Sequence, residues 1–157
     1  MEQLIYLIPL FPLVSFLIIA LSGKSLSKTI TTFLAPGSIL ASFIVALILF
    51  ASQLSYPQAL TAPLFSWIHV GDFHADFSLL IDTLSILFTL VITGVGFLIH
   101  VYSTGYMHDE KDYNRYFAYL NLFVFFMLIL VLGDNLLSMF IGWEGVGICS
   151  YLLIGFW

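Results

Sequence analysis

The chain has 157 residues, 61% hydrophobic and 8% charged, whereas soluble domains carry about 25% charged residues. That composition belongs to an integral membrane protein and excludes a soluble enzyme. Four Lys and Arg in all exclude a basic face for nucleic acid, and the net charge of −5 falls in connecting segments.

The first apolar run is Leu4 to Leu21. It opens on Met-Glu-Gln, without the positive region of a secretory signal, and reads as a retained transmembrane helix. Pro9 and Pro12 lie within it, which a membrane helix tolerates when neighbours satisfy the freed carbonyls. A polar link with Lys24 and Lys28 leads to the second run, Ile30 to Ala51, where Pro36-Gly37 marks a kink. Residues 52–77 form the longest non-spanning stretch. Within it, about 64–77 reads as a β-hairpin turning at Gly71-Asp72, with apolar and aromatic residues on both sides. That register sets His69 opposite His74. With Asp72 and Asp76 nearby they form a possible metal set, but the ligand count is thin for any standard site, and a hairpin capping neighbouring helices is the better reading.

The third run, Leu79 to Tyr102, carries Asp82 near its start and His100 near its end. Both are expected near a membrane interface, where helix-dipole capping is as good an account as function. The link after it holds Asp109, Glu110, Lys111, Asp112 and Arg115 and reads as a solvated loop. The fourth run, Tyr116 to Leu132, is separated from the fifth by Gly133-Asp134 alone, so the two are expected to be antiparallel neighbours. Asp134 or Asn135 is placed to cap the fifth helix. Five spans put all Lys and Arg on one side, which orients those links to the cytoplasm or matrix and leaves the N-terminus and hairpin outside.

The last run, about 135–157, is interrupted by one acid, Glu144. Counted from Asn135 it lies about 14 Å down the helix, near the middle of a hydrocarbon core about 30 Å thick. Carrying a carboxylate there costs about 3 kcal/mol even on the lenient insertion scale, and such acids tend to mark ion paths. The alternative is a neutral Glu hydrogen-bonded to a neighbouring helix. Ser138, Gly142, Gly145 and Cys149 follow at spacings of four, three and four, a small-residue stripe that lets helix backbones approach closely. Glu144 projects to the side of that stripe, and Tyr151, seven residues on, shares its face. The lone cysteine permits no internal disulfide or cysteine metal cluster. The expectation is an all-α membrane protein of about five helices with one small extracytoplasmic hairpin. A buried acid is expected on its last helix.

The stretch DNLLSMFIGWEGVGICSYLLIGFW (134–157) resembles a signature of the L-type antiporter-like subunits of proton-translocating NADH:quinone oxidoreductase, respiratory complex I. FSLLIDTLS (77–85), TGVGFLIHVYSTGYM (93–107) and NRYFAYLNLF (114–123) agree with that family, and so does the VGDF of the hairpin. The GWEG core alone is shared with Mrp-type cation/proton antiporter subunits. The resemblance implies the N-terminal part of a proton-translocating module, in which Glu144 matches a glutamate that pairs with a lysine on a later helix. No counterpart of that lysine falls in this chain, so these residues alone do not make a pump, and the chain reads as an interrupted subunit. NADH, FMN, iron–sulfur clusters and quinone are expected in other subunits, and the other membrane-arm subunits, the remaining helices and lipid are the expected partners. A bacterial inner membrane is the expected setting, with a mitochondrial inner membrane or plastid thylakoid as other possibilities. The alternatives are the same piece of a Mrp antiporter or membrane hydrogenase subunit, or a scaffold without transport.

Overall fold

In the computed structural model, which describes residues 2–55, 58–71 and 73–157, the backbone forms five long helices and one hairpin. The elements are α1 (Glu2–Ser22), α2 (Lys28–Ser55), β1 (Leu60–Val70), β2 (Phe73–Ile81), α3 (Thr83–Tyr106), α4 (Tyr113–Leu132) and α5 (Leu136–Ile154). All five helices are long and apolar enough to span a bilayer.

Among the described residues, α4 touches every other helix. α1 and α2 pack together, α3 lies against α2 and α4, and α5 touches only α4 and β2. The main core therefore forms where α1, α2 and α4 meet the hairpin, around Ile8, Ile39, Leu49, Leu128 and Leu132. A second cluster, including Ile19, Met107, Tyr113, Phe117 and Phe156, closes the other end.

Several polar groups inside the bundle are paired with one another. Pro12 has no N–H to offer the carbonyl of Ile8, one turn earlier, and Ser42 Oγ on α2 donates to that carbonyl at 2.7 Å. Ser38 Oγ lies 3.0 Å from Asn121 Oδ1, and Asn121 Nδ2 donates to the Phe117 carbonyl, so a fully buried amide ties α2 to α4.

The hairpin is longer than the expected 64–77. β1 and β2 pair antiparallel from Leu60↔Ile81 to Val70↔Phe73, with irregularities between Pro63 and Phe65 and between Ser66 and Ile68. Gly71 takes a φ of +59° at the turn, a left-handed conformation open to glycine at no steric cost. Its partner in the expected turn, Asp72, lies outside the described residues. The third helix begins at Thr83, not Leu79. Leu79 and Ile81 are apolar as a span requires, but they pair with Ala62 and Leu60 and are buried as strand residues. Asp82 then starts α3 by a reciprocal capping box: the Ser85 N–H donates to Asp82 Oδ1 at 2.7 Å, and the Asp82 N–H donates to Ser85 Oγ at 2.8 Å. α4 likewise starts three residues earlier than expected, at Tyr113.

The two ends of the bundle differ in chemistry. At one end Lys28 Nζ donates to the carbonyls of His108 and Glu110, both at 2.8 Å. There Asn114 Nδ2 donates to the Gly23 and Leu26 carbonyls, and Trp157 Nε1 donates to Glu110. The α1–α2 and α3–α4 links are thus clasped together, with Lys28, Lys111 and Arg115 on one side; the Lys24 side chain lies outside the described residues. At the opposite end the hairpin sits under the α4–α5 link, where Leu79 bridges Gly133 and Tyr6 OH donates to the Pro63 carbonyl.

Candidate functional site

α5 is positioned at its start by the hairpin. Asn135 caps the helix, its Oδ1 accepting from the N–H groups of Leu137 and Ser138 at 3.1 and 3.0 Å. Its Nδ2 donates to the Asp76 carbonyl of β2, so the helix is started and docked by one side chain. Asp134 is a tie, not a cap: its carboxylate accepts from Ser78 Oγ at 2.8 Å, and its N–H donates to the Ser78 carbonyl.

Ser138, Gly142, Gly145 and Cys149 are all buried. A methyl group at Gly142 would come closer than 3.0 Å to the Leu130 backbone, and one at Gly145 would meet the Phe126 ring as closely. α5 therefore lies on α4 at a separation that larger residues would prevent.

Glu144 departs from expectation. It is exposed on the side of α5 away from α4, near mid-helix, in a recess of about 270 Å3 with Trp143, Val146 and Gly147. Burial there needs a further neighbour beside α5, and among the described residues α4 is its only helical neighbour. Phe140, Trp143, Ile148 and Tyr151 are exposed on α5 as well. Tyr151 is 78% exposed, and no described hydrogen bond joins it to Glu144.

The other candidates do not converge on Glu144. Asp82 is the α3 cap, where the Ser85 N–H holds its carboxyl below the ordinary value of 3.8. His100, expected near a membrane interface, is fully buried inside the bundle, with Phe117 of α4 6.1 Å away between ring centroids. Its Nδ1 lies 2.7 Å from the Gly96 carbonyl, which only accepts, so Nδ1 carries the proton. Its Nε2 is a buried atom without a described partner. His69 and His74 do oppose each other, with rings edge-on and centroids 4.0 Å apart. No group of three or more metal-ligating side chains is assembled among the described residues. The sequence reading passed over Asn114, Asn121 and Gln53. Each announces itself as an amide beside or inside an apolar run, where an unpaired polar group is costly.

Two family descriptions match the chain. The complex I chain 5 N-terminus family (NADH-ubiquinone oxidoreductase) covers residues 67–117, and the NADH:quinone oxidoreductase/Mrp antiporter transmembrane family covers residues 133–157. NADH-quinone oxidoreductase subunit L of Escherichia coli (strain K12) is 46% identical over 149 residues, 94% of this chain and 24% of the relative. The subunit L of Pseudomonas aeruginosa is 47% identical over 151 residues, 94% of this chain and 25% of the relative. That of Mycobacterium tuberculosis is 50% identical over 121 residues, 75% of this chain and 19% of the relative. The chain thus spans about a quarter of the length of the curated relatives it matches. Five membrane-length helices and these matches make it an integral membrane protein, and it belongs to the antiporter-like subunit L family of NADH-quinone oxidoreductase.

Proposed function

We propose that this chain supplies five helices of the N-terminal part of a membrane-arm subunit of proton-pumping NADH:quinone oxidoreductase and that Glu144 is a proton-path residue of that subunit. The observation carrying the reading is the placement of one carboxylate near the middle of a membrane-length helix, on a side that no other element covers among the described residues. An acid at that depth calls for a cationic partner, water, or a proton of its own. A lysine on a further helix of the same subunit meets that demand: its charge and that of Glu144 stabilise each other, and separating them releases a proton from the lysine.

The cationic end faces the cytoplasm by the positive-inside rule, the hairpin faces outward, and a bacterial inner membrane is the setting. NADH, FMN, the iron–sulfur clusters and quinone belong to other subunits, and the neighbouring membrane-arm subunits are the partners. A second reading, a cation/proton antiporter subunit, draws on the Mrp wording of the family matched by residues 133–157.

The test is Glu144→Gln in the full-length subunit within its assembled complex. Inverted membrane vesicles should keep assembling the complex and oxidising NADH while the proton gradient per NADH falls severalfold. An unchanged gradient per NADH would remove Glu144 from the path. A gradient that required Na⁺ would favour the antiporter reading.

A further inference from the structure

A cavity of about 830 Å3 opens at the cationic end, between the last turns of α1, the start of α2 and the start of α4. Its wall has two kinds of surface. Phe16 and Ala20 of α1 make an apolar part that belongs to the membrane spans. Lys28, Lys111 and Arg115 make a cationic part, with Asp112 as the one carboxylate among the described lining residues.

The cations keep donors in reserve. Lys28 gives two of its three N–H groups to the His108 and Glu110 carbonyls. One terminal nitrogen of Arg115 serves both Asp112, at 3.1 Å, and the Phe156 carbonyl, at 3.3 Å. The other terminal nitrogen and Nε of Arg115 make no described bond, and Lys111 makes no described ion pair with its side chain. Three cations facing one carboxylate leave room for a further anion.

An occupant that fills both parts must carry an anionic head and an apolar tail. Inorganic phosphate would leave the surface of Phe16 and Ala20 unused, and a zwitterionic lipid would bring its own cation among the three. Basic pockets between spanning helices on the cytoplasmic side are where anionic headgroups bind. We propose that this cavity binds an anionic phospholipid, with its phosphate among Lys28, Lys111 and Arg115 and an acyl chain along Phe16 and Ala20. The site rests on the chain being a membrane protein and is separate from Glu144.

The experiment uses the full-length subunit in its assembled complex, reconstituted into nanodiscs with a phosphatidylglycerol analogue that carries a photoreactive group on its acyl chain. Labels mapped by mass spectrometry should fall on α1 around Phe16 and Ala20. Lys111 is exposed and makes no described bond with its side chain, so Lys111→Gln should leave the fold intact and cut that labelling about fivefold, the effect of one charge near an anionic lipid. Ala20→Trp, from another exposed position in the lining, should remove the label by filling the apolar part without altering charge. Equal labelling by the phosphatidylcholine analogue, or full labelling in Lys111→Gln, would overturn the proposal. Displacement of the label by excess inorganic phosphate would also overturn it, by assigning the cavity to a free anion.

Discussion

Gly142→Ala tests how α5 is held. Among the described residues α5 rests on α4 and β2 alone, and at Gly142 the facing atoms are the backbone nitrogen and Cα of Leu130. A side chain in the way can turn aside; a helical backbone cannot. The added methyl must push the two helices apart along the line Ser138, Gly142, Gly145 and Cys149. Helices in a bilayer associate through close packing more than through exclusion of water, so little compensates once the two backbones separate. Overpacking of this kind costs about 1–3 kcal/mol, and the fixed obstacle puts Gly142→Ala at the upper end. Gly145→Ala should cost less, because its obstacle is the Phe126 ring, and Gly147→Ala should be nearly neutral, because nothing lies within 4 Å of the added carbon. The assay is a denaturant titration of the purified full-length subunit in detergent micelles, with helicity followed by circular dichroism. The expected order of midpoints, highest first, is Gly147→Ala, then Gly145→Ala, then Gly142→Ala. Equal midpoints for Gly142→Ala and Gly147→Ala would refute the close approach of α5 to α4.

Two further outcomes follow from polar contacts at helix irregularities. Ser42→Ala should destabilise by about 0.6–1.7 kcal/mol by stranding the Ile8 carbonyl, and adding Pro12→Ala should restore most of it by supplying the missing N–H; additive losses in the double variant would contradict that account. Asp82→Ala should cost about 1 kcal/mol through loss of the α3 cap, measured near neutral pH. The folded carboxyl of Asp82 is held below its ordinary value of 3.8, so its ionic stabilisation is present above that value and is lost as pH falls through the folded value. The stability gap between the natural chain and Asp82→Asn should therefore narrow below about pH 4; a gap constant down to about pH 2.5 would count against the ionic part of the cap.

Much of the fold was legible because hydrophobic length is a local property. Each of the five apolar runs became a helix, and the glycine at the turn together with its flanking residues fixed the hairpin register that sets His69 against His74. The start of α3 was misplaced because Leu79 and Ile81 satisfy a span and a buried strand equally well. Only their pairing with β1 separates the two. Asp82 and Ser85 did carry the boundary, three residues apart, in a reciprocal cap that the reading took as a charge near a helix dipole.

Burial was the quantity the sequence could not supply. His100 and Glu144 both stand inside apolar runs, yet His100 is enclosed and Glu144 is exposed. Which face of a helix is covered depends on which helices lie beside it, and that follows from packing between residues distant in the chain. α3 turns His100 toward Phe117, whereas α5 spends its small-residue side on α4 and leaves Glu144 on the other. The sequence by itself determined that the chain is a five-helix membrane protein with a lone acid at mid-membrane depth, since hydropathy, spacing and caps act over a few residues. The tertiary structure alone decided which side of the last helix is covered and the cavity that the clasped links form, because both require helices packed against one another.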